Sequence, residues 1–98
     1  MKVVYHRLAA LDVREILYHY AAEVGRHLAD RFFAEFLALI ERMRASPRRF
    51  PPMGDSGLRR ANLPNFPYHI LYEERLWGIK VMVVRHHRRS PRYGLRRR

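Results

Sequence analysis

At 98 residues the chain suits one domain and leaves no room for two. It has no cysteine, which excludes disulfides, thiolate metal sites and cysteine nucleophiles, and its 48% hydrophobic content excludes disorder over most of its length. Lys and Arg number 20 against nine Asp and Glu, a formal net charge of +11 that points to a polyanionic partner.

Residues 2–7, Lys-Val-Val-Tyr-His-Arg, are β-prone and predict a short strand. Val13, Ile16, Leu17, Tyr20, Ala21 and Val24 then follow helical spacing with one apolar face. Asp12 is expected in the first turn of that helix, where a carboxylate suits the dipole, and Gly25 is its natural stop. A second helix is predicted from about His27 to Ala45, with Ala29, Phe32, Phe33, Phe36, Ile40 and Met43 as its apolar stripe. Only Gly25 and Arg26 separate the two, so they should form an antiparallel hairpin. Pro47, Pro51, Pro52, Gly54 and Gly57 break the pattern and predict a surface loop over Ser46–Gly57.

Three β-prone segments follow, at about Leu58–Leu63, Tyr68–Glu74 and Ile79–Arg85. Their short connections predict an antiparallel meander. Ile79 to Val84 is apolar on nearly both faces and reads as the central strand. The fold expected is α+β, in the order β-α-α-β-β-β, with a helix hairpin packed on a mainly antiparallel sheet. The N-terminal strand should join at the edge or beside the last strand. Residues 1–98 read as a single domain with a basic C-terminal tail from about residue 86, its end free unless a partner orders it.

The charge is uneven. Residues 1–50 hold nine basic and six acidic side chains, whereas residues 51–98 hold eleven and three. Eighteen of the 20 basic residues are arginine, which favours planar contact with phosphate or carboxylate. No apolar run approaches the roughly 20 residues of a membrane span, and Met1–His6 lacks the layout of a signal peptide. A reducing cytoplasm is the expected location, and no membrane contact is expected.

Several stretches, in order, resemble the RelE/ParE toxin superfamily. They are Asp12-Val13 with Ile16 and Tyr20, Ala29 with Phe32-Phe33, and Ser46-Pro47 followed by Gly57-Leu58-Arg59-Arg60. Phe66-Pro67-Tyr68-His69-Ile70-Leu71-Tyr72 and Val83 to Pro91 continue the match, which spans Val3 to Tyr93. The resemblance implies a bacterial toxin of a type II toxin–antitoxin system, held inactive by a cognate antitoxin in a hetero-oligomer. RelE-like members cut mRNA on the ribosome, and ParE-like members poison DNA gyrase. The shared fold cannot choose between them.

Metal-independent RNA cleavage needs a base for the 2′-hydroxyl, a cation for the phosphate and an acid for the leaving oxygen. Arg59, Arg60, His69, Arg85, His86, His87, Arg89 and Tyr93 are the side chains of suitable type. The resemblance sets Arg59 or Arg60 at the family's sheet arginine, His87 near a last-strand arginine, and Tyr93 near a C-terminal tyrosine. These four form the candidate catalytic set if the chain is a nuclease. Arg85, His86, Arg88, Arg89 and Arg92 are candidate contacts to a target or to nucleic acid. RelE itself has lysines in the loop before the sheet arginine, whereas Met53–Leu58 has none.

Consecutive His86 and His87 should face opposite sides of a strand, which makes the pair no ready metal site. No metal or cofactor is expected, since HExxH and cysteine-based spacings are missing. Phe32, Phe33, Phe36, Tyr68 and Tyr72 are expected in the core. Tyr93 either contacts RNA or a partner, or pins the tail to the sheet. Asp12, Asp30, Glu35, Glu41, Glu73 and Glu74 are expected to balance surface arginines. The missing loop lysines and the long helix hairpin favour ParE-like action on gyrase by binding. A RelE-like ribosome-dependent mRNA endonuclease is the alternative, and a non-toxic basic nucleic-acid-binding module is the third reading. The antitoxin should be acidic and lie across the open sheet face or the helix groove.

Overall fold

The computed structural model describes all 98 residues. The chain runs β1 (Lys2–Tyr5), α1 (Arg7–Glu23), α2 (Arg26–Ala45), β2 (Arg59–Asn62), β3 (Tyr68–Arg75) and β4 (Gly78–His86). The predicted element order is present throughout.

α1 starts earlier than expected because His6 caps it, its Nδ1 accepting the Leu8 N–H at 3.1 Å. Asp12 therefore lies beyond the first turn, on the buried stripe with Ala9, Val13 and Ile16. α2 buries Ala29, Phe32, Phe36, Leu39, Ile40 and Met43. The stripe thus takes Leu39 in place of Phe33, which is 40% exposed. Each fully buried Phe or Leu here contributes roughly 1.5–3 kcal/mol. α2 ends at Ala45, where Pro47 cannot continue it, and Arg42 and Arg44 favour the negative end of its dipole.

The four strands form one sheet in the order β1-β4-β3-β2. β1 lies parallel to β4, and β4-β3 and β3-β2 are antiparallel. β4 is central, as its apolar run predicted, and β1 is both an edge strand and the neighbour of the last strand. The β1–β4 start requires Gly78, whose backbone φ is 149°. A Cβ there would sit 1.9 Å from the Lys2 carbonyl oxygen. The Ser46–Gly57 loop does more than cross the surface. Its Met53 N–H donates to Leu58 O and its Pro51 O accepts from Arg60 N, so it covers the outer edge of β2.

Both helices pack on one sheet face, against Ala61, Ile70, Tyr72, Ile79, Val81 and Val84. The other face carries a smaller apolar cluster of Leu58, Leu71, Met82 and Val83, flanked by Met53 and Tyr93. One irregularity decides what else this open face presents. Leu71 pairs with Val83 but Tyr72 pairs with Val81, leaving Met82 as a bulge. The extra residue resets the alternation of β4. Val84 and His86 turn toward the helices, and Val83, Arg85 and His87 turn to the open face.

Candidate functional site

The bulge brings four polar side chains, from β2, β3, β4 and the turn after β4, together on the open face. His69 of β3 lies opposite Arg85 of β4, and Arg60 of β2 opposite Leu71. Arg85 Nε donates to His69 Nε2 at 2.8 Å. The His69 and His87 rings lie edge to edge and nearly coplanar, with centroids 5.2 Å apart and 10° between planes, their Nδ1 atoms 3.0 Å apart. Arg60 Nη2 lies 3.4 Å from His87 Nδ1, and its Nε donates to Asn62 Oδ1 at 2.9 Å.

The electrostatics follow from that packing. His69 is 1% exposed. Burial first, then Arg60 and Arg85, push its pKa down to about 3. Desolvation, then Arg60 and His86, lower His87. Both rings are therefore neutral near pH 7. Arg85 is buried with no carboxylate beside it. Its Nη1 donates to the Pro91 and Tyr93 carbonyls at 2.8 and 3.0 Å. It holds the tail to the sheet, so the expectation of a free target-binding arginine gives way to an internal one.

The other predicted site residues separate. Arg59 is not on the open face: its register partner Tyr72 faces the helices. Its Nη1 donates to Phe50 O at 2.7 Å and anchors the loop. Tyr93 turns to the sheet edge and donates its hydroxyl to Asp12 Oδ1 at 2.7 Å, the tail-pinning role. Of the four candidate catalytic residues, only Arg60 and His87 meet. His86 faces the helix side, its ring edge-on to Tyr68 at 5.1 Å. With Glu15, His19, Tyr68, Arg89 and Tyr93 it lines a cleft of about 180 Å³ beside α1. Arg88, Arg89 and Arg92 are exposed, and the Arg89 guanidinium lies 4.0 Å over the Tyr93 ring. No group of three or more His, Asp or Glu side chains is placed to hold a metal ion.

Two residues important to this arrangement were not singled out from sequence. His69 was one candidate among many, and nothing in its spacing shows that it meets a residue 18 positions later. Asp12, expected on the surface, is 5% exposed. It accepts from Val84 N at 3.0 Å, Tyr93 Oη at 2.7 Å, and Arg97 Nη1 and Nη2 at 2.6 and 3.1 Å. Arg97 also donates to Met82 O at 2.9 Å. Asp12 and Arg97 thus satisfy β4 just past the end of β1, where no strand partners it. The tail is clasped to the fold without a partner chain. The position of Asp12 on the apolar stripe of α1, with Ala9, Val13 and Ile16, was the available signal.

The family model for the ParE toxin of type II toxin–antitoxin systems, parDE, matches residues 3–91. The chain belongs to the ParE toxin family. A toxin of this family is one half of a toxin–antitoxin system, so an antitoxin is the expected partner of this ParE-family chain. Among solved structures, a chain of the chromosomal ParDE toxin–antitoxin system from P. aeruginosa has the same fold, with a TM-score of 0.77. The two are 19% identical, and the alignment covers 88% of this chain and 95% of that one. No curated protein matches the sequence. No helix is long and apolar enough to cross a membrane.

Proposed function

We propose that this ParE-family toxin arrests growth by binding DNA gyrase in the cytoplasm, and that a cognate antitoxin restrains it. The observation that carries the reading is the state of the groups a nuclease would use. Arg59 is committed to the loop, and the Tyr93 hydroxyl is donated to Asp12. His87 Nδ1 is closed in by Arg60 Nη2 at 3.4 Å and His69 Nδ1 at 3.0 Å. General acid–base cleavage needs a base with a free lone pair and an acid within reach of one phosphate. The open face offers cations and N–H donors, which suit recognition better than proton transfer.

Arg60, His87, Arg88, Arg89 and Arg92 are the residues we assign to target contact. The antitoxin, in this reading, carries acidic side chains that meet the arginines of the tail, since the stretch from Arg85 to Arg98 holds seven arginines and no acid. Purified chain added to gyrase and relaxed plasmid should block supercoiling or trap cleaved DNA, and the purified antitoxin should reverse this. Normal supercoiling together with cuts at the ribosomal A site, read by primer extension on translated mRNA, would overturn the proposal for the endonuclease reading. Unchanged growth on induction without the antitoxin would remove both.

A further inference from the structure

Arginine donates hydrogen bonds and does not accept them. Arg85 Nε meets His69 Nε2 at 2.8 Å, so that ring nitrogen carries a lone pair. A neutral His69 then holds its proton on Nδ1 and donates it to His87 Nδ1, 3.0 Å away. Arg60 Nη2 approaches the same His87 nitrogen at 3.4 Å and requires the same lone pair. Two arginines at opposite ends of the relay impose one proton order. The proton of His87 sits on Nε2, on an exposed side chain with no protein acceptor.

The geometry points to an oxyanion-binding pair, the outward Nε2–H of His87 beside the Arg60 guanidinium, oriented by His69 and Arg85 and taking the phosphodiester oxygens of a nucleic acid. The pair deepens the reading above and rests on the open face being the one that meets the target. His69 and Arg85 are positioning residues: they touch no ligand but set which His87 nitrogen is a donor. An extra proton on either ring would face a donor head-on. The lowered pKa values of both histidines agree with this. Phosphodiester is favoured over carboxylate because Arg88, Arg89 and Arg92 follow His87 within five residues and all three are exposed, a density of cation suited to a chain of repeated charges.

The test uses the full chain. Histidine-selective ¹H–¹⁵N spectra at pH 7 should show protons on His69 Nδ1 and His87 Nε2. The reverse tautomers, or an imidazolium at either position, would overturn the relay. A short thymidine oligonucleotide should then shift the His87 Nε2 resonance, and a glutamate-rich peptide should not. Glutamine can accept from His69 and still present an outward N–H. His87→Gln should therefore bind the oligonucleotide within about threefold of the parent, whereas His87→Ala and Arg60→Gln should each lose roughly tenfold. Equal losses for His87→Gln and His87→Ala, or a response to the peptide alone, would sink the proposal. Neither readout contains gyrase, so failure of the gyrase reading is seen separately.

Discussion

Asp12 is where the fold has most to lose from one side chain. Its carboxylate accepts four hydrogen bonds at 2.6 to 3.1 Å, and the Asp12 and Arg97 side chains are 5% and 8% exposed. Asp12→Ala leaves a guanidinium without its counter-charge, and a strand N–H and a hydroxyl without an acceptor. Breaking a buried ion pair costs about 3–5 kcal/mol. Arg97 lies one residue from the C-terminus and can swing into water, which places the expected loss near the low end, about 3 kcal/mol. Arg97→Gln should cost less, about 2 kcal/mol, because Asp12 keeps the Val84 N–H and the Tyr93 hydroxyl. A double-mutant cycle of Asp12→Asn and Arg97→Gln, followed by urea denaturation, should give a coupling of at least about 1.5 kcal/mol. Additive effects within about 0.5 kcal/mol would mean that the clasp is open in solution, and the account of the tail would fail.

Gly78→Ala forces a Cβ onto the Lys2 backbone, so it should separate β1 from β4 and cost at least about 3 kcal/mol in denaturant unfolding. A loss under about 1 kcal/mol would mean that β1 is loosely held. Tyr93→Phe removes one hydroxyl bond to Asp12 but keeps the ring against the sheet, for a loss of about 1–2 kcal/mol. Growth inhibition on induction should survive that change, and its abolition would return Tyr93 to the functional set. The His69 pKa, about 3 in the fold against 6.5 unfolded, means that the unfolded chain binds the proton the fold refuses. Stability is therefore constant above pH 6.5 and falls as pH drops from 6.5 toward 3. The drop should be about 2 kcal/mol between pH 6.5 and 5 in urea titrations, with His6 and His87 adding in the same direction. A flat profile over that interval would show His69 to be solvated.

The element order was legible because its signals are local. The 3.6-residue spacing of α2, the proline-rich break after Ala45 and the two-sided apolar run of β4 need no tertiary knowledge. Errors arose where a neighbour decides the outcome. Phe33 fits a helical stripe as well as Leu39 does, and only the direction of the sheet chooses Leu39. Asp12 reads as a dipole-favouring surface acid until β1 stops at Tyr5 and leaves the Val84 N–H in need of an acceptor. The tail reads as free because its arginines lack acids nearby in sequence, while the acid that holds Arg97 lies 85 residues earlier.

The bulge at Met82 joins these misses to the candidate site. Counted by strict alternation from Val81, Arg85 and His87 would face the helices, and His86 the open side. One unpaired residue reverses all three. Without it, His69 would have no Arg85 to orient its ring, and the Nδ1 atom of His87 could not reach it. The same reversal turns Val84 toward α1, where its N–H meets Asp12, and turns Val83 toward the tail, where Gly94 passes close enough that a Cβ would lie 2.5 Å from the valine methyl. A single local insertion therefore sets both the face on which the basic groups gather and the route by which the tail returns to the fold. Deleting Met82 should then disturb the histidine tautomers and the Asp12 clasp together, whereas a site and a tail with separate causes would respond one at a time.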